Sequence, residues 1–255
     1  MKHAFSTLFF ALALFTLCSY ATGQTPAPAI TPEVAPKKIT NPALIPTHRL
    51  NLEWWRTRLA EKEAQAKKQH DTVLLGDSIT HNWDVLAPDL QQAYFGNALN
   101  LGFSGDRTQD VLWRIHRIDW QTVVPKRIMI MIGTNNTGWN LNKGLPPAPE
   151  MTFEGIRAIV DTLKKECPQA KITLLYIFPR GANGSDAKRR ANDLINQRIP
   201  TLADGEKVVC KDISALYFAE DGHTLRRDLM PDLLHPNKEG HRLWGEAVAP
   251  EFMAP

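Results

Sequence analysis

Val73-Leu74-Leu75-Gly76-Asp77-Ser78-Ile79-Thr80 is a short apolar run that stops in a turn of small residues, which lifts one serine out at the rim of a sheet. A serine placed there can act as a nucleophile. Three later segments repeat the form, an apolar run followed by a polar or glycine-rich loop: Asn100-Leu101-Gly102-Phe103-Ser104-Gly105-Asp106, Ile130-Met131-Ile132-Gly133-Thr134-Asn135-Asn136 and Asp232-Leu233-Leu234-His235-Pro236.

Around these segments the apolar pattern alternates between strand and helix. Strands are expected near Thr72–Leu75, Ala98–Leu101, Arg127–Ile132, Lys171–Ile177 and Lys207–Cys210. Helices are expected over Leu50–Gln69, Asp84–Tyr94, Thr108–Ile118, Phe153–Glu166, Ala187–Ile199 and Lys238–Val248. This is the βα rhythm of a parallel sheet. Strands almost continuous in Val, Ile, Leu and Met are covered by helices on both faces, so the expected fold is α/β, a three-layer α/β/α sandwich on a five-stranded parallel sheet. Such sheets bind ligands outside the carboxyl ends of their strands, and all four polar loops sit at those ends.

A serine hydroxyl needs a base to take its proton, and the base needs an orienting partner on its second ring nitrogen. Ser78, His235 and Asp232 are the catalytic candidates, because the spacing Asp-x-x-His puts carboxylate and imidazole on one turn of chain. A tetrahedral intermediate also needs donors for its oxyanion, and the N–H groups of Ser78 and Gly105 with the side-chain amide of Asn135 supply three. Taken singly, each residue has a plainer explanation: a glycine after a strand forms a turn, and an asparagine caps a helix. Their joint occurrence at successive strand ends favours chemistry. His81 is a candidate to border the substrate, as are Trp83 and Trp139, expected in loops at the active rim, whereas Trp113 and Trp244 are expected in the core and the pairs Arg189-Arg190 and Arg226-Arg227 on the surface.

At 255 residues, with 43% hydrophobic and 22% charged, the chain suits one domain with a well-buried core. The formal net charge is only +3 and no Lys/Arg run is interleaved with aromatics, so nucleic acid is not an expected partner. His81, His235, His241 and Asp77 lack metal-ligand spacing, and neither a metal nor another cofactor is expected. Lys2 and His3, the apolar stretch Ala4–Leu17 and the small residues Ala21-Thr22-Gly23 fit a secretory signal over residues 1–23, and the apolar stretch is too short for stable membrane insertion. A Pro/Ala/Thr-rich linker over 24–46 then precedes a catalytic domain over 47–255. Cys167 and Cys210 are placed at opposite ends of the sheet, beyond the reach of a disulfide. The sequence leaves a homodimer open.

From about Leu74 to Trp244 the four blocks resemble those of the SGNH or GDSL hydrolases, headed by Ser, Gly, Asn and His. The stretches Asn100–Gln109, Val111-Leu112-Trp113-Arg114, Gly133–Asn136 and Phe178-Pro179-Arg180-Gly181 are similar to the branch that holds the catalytic subunits of platelet-activating-factor acetylhydrolase and its bacterial relatives. The second block has Ser104 where the mammalian branch has glycine. The resemblance implies a flavodoxin-like strand order, a Ser78-His235-Asp232 triad, an oxyanion hole of Ser78, Gly105 and Asn135, and hydrolysis of short-chain, above all acetyl, esters. Export favours an acetylated carbohydrate, small or polymeric, as substrate. A phospholipid or general lipid ester is the second reading, and a glycan-binding module without turnover the third.

Overall fold

The computed structural model describes residues 40–138 and 148–253; the expected signal, most of the linker and Trp139 lie outside the described residues. Five strands, β1 (Thr72–Gly76), β2 (Leu99–Gly102), β3 (Arg127–Met131), β4 (Lys171–Leu175) and β5 (Val208–Lys211), form one sheet in the order β2-β1-β3-β4-β5. Every pairing is parallel. This is the flavodoxin-like order, in which the direction of winding reverses between β1 and β3 and leaves a crevice beyond their carboxyl ends.

Because side chains alternate along a strand, each apolar run divides between two cores. Val73, Leu75, Ile128, Ile130 and Leu174 face one layer, made by α4 (Thr108–Ile115), α5 (Trp120–Val123), α7 (Pro149–Glu166) and α8 (Ala187–Asn196). Leu74, Met129, Met131 and Leu175 face the other, made by α2 (Ser78–Leu86), α3 (Pro88–Phe95) and α9 (Lys238–Phe252). A smaller cluster of Trp55, Leu59 and Phe103 holds α1 (Glu53–Gln65) against the end of β2. Among the described residues no helix is long and apolar enough to cross a membrane. Cys167, at the end of α7, and Cys210, in β5, are unbridged.

The three-layer architecture agrees with the sequence reading, and the differences have local causes. The single helix expected over Asp84–Tyr94 is two helices, and the first begins at Ser78 itself. Asp77 caps it by accepting the Ile79 N–H at 3.0 Å. Ala87 breaks the pair at φ −141°, as the residue before Pro88 avoids helical backbone. Trp83 therefore lies on the inward side of α2, not in a loop at the active rim. It is fully buried, with ring centroids 5.1 Å from Phe95, 4.8 Å from His241 and 5.1 Å from Trp244. It is part of the core and does not wall the substrate. Trp244 is buried as expected, whereas Trp113 is half-buried and packs on Trp55.

Residues 41–46, read as the end of the linker, are stitched to the fold. Asn41 Nδ2 donates to the Met151 carbonyl at 3.0 Å, and Thr108 Oγ1 donates to the Ala43 carbonyl at 3.0 Å. Arg189 is also buried rather than solvated, with its guanidinium 5.1 Å over the Phe218 ring and a bond to the His223 carbonyl.

Trp83→Ala is expected to cost about 3–5 kcal/mol of stability, the usual price of an aromatic cavity. Chemical denaturation measures this loss; a substrate wall would instead raise KM and leave the denaturation midpoint in place.

Candidate active site

Ser78 is set by how closely α2 sits on the strand ends. Gly76 and Gly102 are paired across β1 and β2. A Cβ at Gly76 would stand 2.4 Å from the Met131 carbonyl and 2.2 Å from Thr80 Oγ1, and one at Gly102 would stand 2.3 Å from the His81 nitrogen. Only bare backbone permits that approach. Asn100, wholly buried in β2, fastens it: its Nδ2 donates to the Thr80 carbonyl at 3.1 Å while its Oδ1 accepts the Gly102 N–H at 2.8 Å. As the first residue of α2, Ser78 also belongs to a turn whose N–H groups lack intrahelical partners.

Ser78 Oγ lies 2.8 Å from His235 Nε2, and His235 Nδ1 lies 2.6 Å from Asp232 Oδ2. With Nδ1–H donating to the carboxylate, Nε2 is the acceptor for the serine hydroxyl. Asp232 Oδ1 accepts two peptide N–H groups, from Leu234 at 3.0 Å and from His235 at 2.8 Å. The loop closes through Leu233, whose φ of +60° is left-handed and whose carbonyl accepts the Gly181 N–H at 2.9 Å. Burial works against the charged form of Asp232. The bonds from the His235 ring and the two peptide N–H groups outweigh it and hold the carboxyl below its usual range.

Gly105 is at φ +76°, and among the described residues its N–H is bonded to no backbone carbonyl. Asn135 is carried by the single turn α6 (Thr134–Thr137), which starts after Gly133 at φ +133°. Asn135 Nδ2 donates to the Asp106 carbonyl at 2.9 Å. Arg180, from the loop after β4, donates to the Thr134 carbonyl and to its hydroxyl at 3.1 Å each. The structure thus brings Ser78, His235 and Asp232 into one chain of contacts, and it holds Gly105 and Asn135 together through Asp106.

Residues 74–243, two thirds of the chain, match the GDSL-like Lipase/Acylhydrolase family. The chain belongs to that family. As a GDSL-like acylhydrolase it is an ester hydrolase. It is 31% identical over 183 residues to platelet-activating factor acetylhydrolase IB subunit alpha2 of Rattus norvegicus, covering 68% of this chain and 72% of the relative. It is 29% identical over 180 residues to subunit alpha1 of Bos taurus, covering 68% and 71%. Among solved structures, it superposes on a GDSL-like lipase from Bacteroides thetaiotaomicron with a TM-score of 0.62 at 21% identity, covering 77% of this chain and 96% of that one. An acetylxylan esterase from Geobacillus stearothermophilus gives a TM-score of 0.58 at 22% identity, covering 74% and 97%. At such identities the structural likeness establishes the fold.

In this GDSL-like acylhydrolase, His81 stands one turn beyond Ser78. Its Nδ1 is 2.9 Å from Ser104 Oγ, and its ring is stacked at 6.4 Å on Trp54, an exposed residue of α1. Burial, with help from Arg58, pushes its pKa down to about 4, so it is neutral near pH 7. His241 is buried, with its ring nitrogens against the carbonyls of Asn237 and Ile79, and among the described residues no cluster of three or more potential metal ligands occurs. Sequence reasoning missed Asn100, Arg49, Trp54 and the buried pair Asp106–Arg114. Asn100 had left a signal, since a lone amide inside an apolar strand must be hydrogen-bonded there.

Two buried carboxyls underlie the site. Asp106 is pushed up to about 6 by burial, against the pull of Arg114 Nε at 2.7 Å. Asp77 is pushed up to about 7 by burial, and its Oδ2 has no hydrogen-bond partner among the described residues. A carboxyl raised in the folded state stabilises that state below its unfolded value of 3.8 and loses the contribution as pH rises through about 7. Neutral His81 has the opposite sign, contributing above its unfolded value of 6.5 and less as pH falls toward about 4. The stability of the parent relative to Asp77→Asn, which keeps an oxygen to cap Ile79, is therefore expected to fall steadily from about pH 4 to pH 7. Urea unfolding at each pH checks it; a flat difference would place the Asp77 carboxyl in its ordinary range.

Proposed function

We propose that this acylhydrolase is an exported serine esterase that removes short acyl groups, acetyl above all, from carbohydrates. The observation that carries the serine mechanism is the continuous chain from Ser78 Oγ through the His235 ring to Asp232, with links of 2.8 and 2.6 Å. His235 takes the hydroxyl proton as Ser78 attacks the ester carbonyl, and Asp232 steadies the imidazolium that forms. His235 then gives the proton to the departing alcohol oxygen, leaving an acyl-serine. Water, deprotonated by the same ring, attacks that ester and releases the acid with Ser78 restored.

The oxyanion of each tetrahedral intermediate is met by the N–H groups of Ser78 and Gly105 and by Asn135. A primary amide has two N–H donors. One Nδ2–H of Asn135 is committed to the Asp106 carbonyl, and the other is the third donor. The surroundings support a sugar on the alcohol side, since His81 and Ser104 are polar and Trp54 offers an exposed ring stacked on His81. The leader pattern of residues 1–23 supports export, where polysaccharides are met. The identity to platelet-activating factor acetylhydrolase subunits favours the second reading, an acetylated phospholipid.

Ser78→Ala is expected to lower turnover of 4-nitrophenyl acetate by about 10⁴-fold or more with the fold retained. Asn135→Ala is expected to lower kcat by about a hundred- to a thousandfold. Acetate release from acetylated xylooligosaccharides is expected to exceed release from an sn-2 acetyl phospholipid at equal ester concentration; the reverse order would select the lipid reading. N-terminal sequencing of the protein recovered outside the cytoplasm is expected to begin after Ala21 or Gly23.

A further inference from the structure

The peptide that joins Ser104 to Gly105 has two polar ends. Its N–H is the second proposed oxyanion donor. Its carbonyl oxygen, on Ser104, accepts a hydrogen bond from Arg49 Nη1 at 2.7 Å. Arg49 precedes α1 and lies outside residues 74–243, the segment that matches the family. On the reading of Gly105 as an oxyanion donor, we infer that Arg49 is a positioning residue for the oxyanion hole, acting on the Gly105 N–H through the far end of the same peptide.

The physical link is the amide itself. A trans peptide is planar, so a partner that fixes the carbonyl oxygen also fixes the opposite direction in which the N–H points. A cationic donor on that oxygen draws electron density from the nitrogen and strengthens the N–H as a donor. Gly105 leaves room for this: at φ +76°, a Cβ on it would stand 2.7 Å from Arg49 Nη1 and 3.1 Å from Nη2, so the guanidinium rests on the glycine. A side chain at 105 would displace the group that steers its own N–H.

Arg49 is itself held in place. Its guanidinium lies 5.7 Å over the Trp54 ring, and its carbonyl accepts the Leu52 N–H at 2.9 Å. Neutralising Asp106 does not account for Arg49. That carboxylate already has Arg114 Nε at 2.7 Å and Trp55 Nε1 at 2.8 Å, whereas Arg49 Nη1 is 3.6 Å away. The short contact is to the peptide. The other side of Ser104 is also tied, because its hydroxyl lies 2.9 Å from His81 Nδ1. Asp106, next in chain, fixes Asn135 through its own carbonyl. A segment of three residues therefore sets both donors that do not come from Ser78.

The test compares the mature chain with Arg49→Ala and Arg49→Lys on 4-nitrophenyl acetate, with a trifluoromethyl ketone whose hemiketal oxyanion occupies the hole. For Arg49→Ala, kcat is expected to fall about tenfold, less than the hundred- to thousandfold loss of a whole donor, with KM within about twofold. The Ki of the ketone should rise in parallel with the fall in kcat/KM, and Arg49→Lys, which keeps a cationic donor, should regain most of the rate. A role confined to packing would lower Tm and leave kcat and Ki in place, which overturns the inference. So does a folded Arg49→Ala that turns over within about twofold of the parent. Should Arg49→Ala fail to fold, Lys is compared with Gln at position 49: a faster Lys variant supports the inference, and equal rates overturn it. Hydrolysis that survives Ser78→Ala would instead overturn the serine mechanism beneath it.

Discussion

The approach of α2 to the ends of β1 and β2 is the constraint on which the rest depends. Backbone meets backbone there, since any Cβ at Gly76 or Gly102 would fall within 2.4 Å of a heavy atom. Atoms cannot be brought so close, and separating the helix from the sheet would move Ser78 away from the crevice. Three polar groups close the joint: Asp77 caps the helix, Asn100 holds the Thr80 carbonyl and the ring of His241 meets the Ile79 carbonyl at 3.2 Å. On the proposed reading of Ser78 as nucleophile, a packed helix holds it more precisely than an open loop would, and preorganisation of that kind is where much of the catalytic gain would reside.

Asp106 plays the corresponding part for the second and third blocks. Burying a carboxylate is costly unless it is paired and hydrogen-bonded. Here Arg114 and the Trp55 indole satisfy it, and Arg114 lies 4.0 Å over the Phe103 ring. Because Trp55 belongs to α1, that helix is tied to the loop that bears Gly105. The cluster of Trp55, Leu59 and Phe103 then fills the space that the ion pair leaves apolar. Removing either partner of such a pair would strand the other charge in the core.

How much of this could be read from the chain depends on the range over which each feature is decided. The five strands were legible, because an apolar run of four to six residues carries its own signature, and the flavodoxin-like order came from the family resemblance rather than from periodicity. The contact between Asp232 and His235 was legible for the same local reason, a spacing of three residues on one turn. The start of α2 was not. Gly76-Asp77-Ser78 reads as a turn, whereas in the structure a helix begins there, with the Ile79 N–H donating to the Asp77 side chain and the His81 N–H to the Asp77 carbonyl. That one misplacement put Trp83 in a loop, when six residues of helix carry it into the core. Arg49 and Trp54 reach the site from outside the four blocks, and no local pattern marks a contact made across such a distance in sequence.

The two halves of the candidate triad are built to different standards of rigidity. Ser78 rests on the sheet, whereas Asp232 and His235 share a loop that follows the last strand and pairs with none of them. Holding Leu233 at φ +60° costs about 1–3 kcal/mol for a non-glycine residue. The strain is offset by the hydrogen bonds that the Leu234 and His235 N–H groups donate to the Asp232 carboxylate, and by the Gly181 N–H on the Leu233 carbonyl. Because the candidate base and its carboxylate share a loop, the one link they make to another element of the candidate triad is that from His235 Nε2 to Ser78 Oγ. His241, in the first turns of α9, lies between α9 and α2, with one ring nitrogen against the Asn237 carbonyl and the other against the Ile79 carbonyl. A neutral imidazole can donate only one of those bonds. Its burial, which lowers its pKa, disfavours the doubly protonated form that would make both.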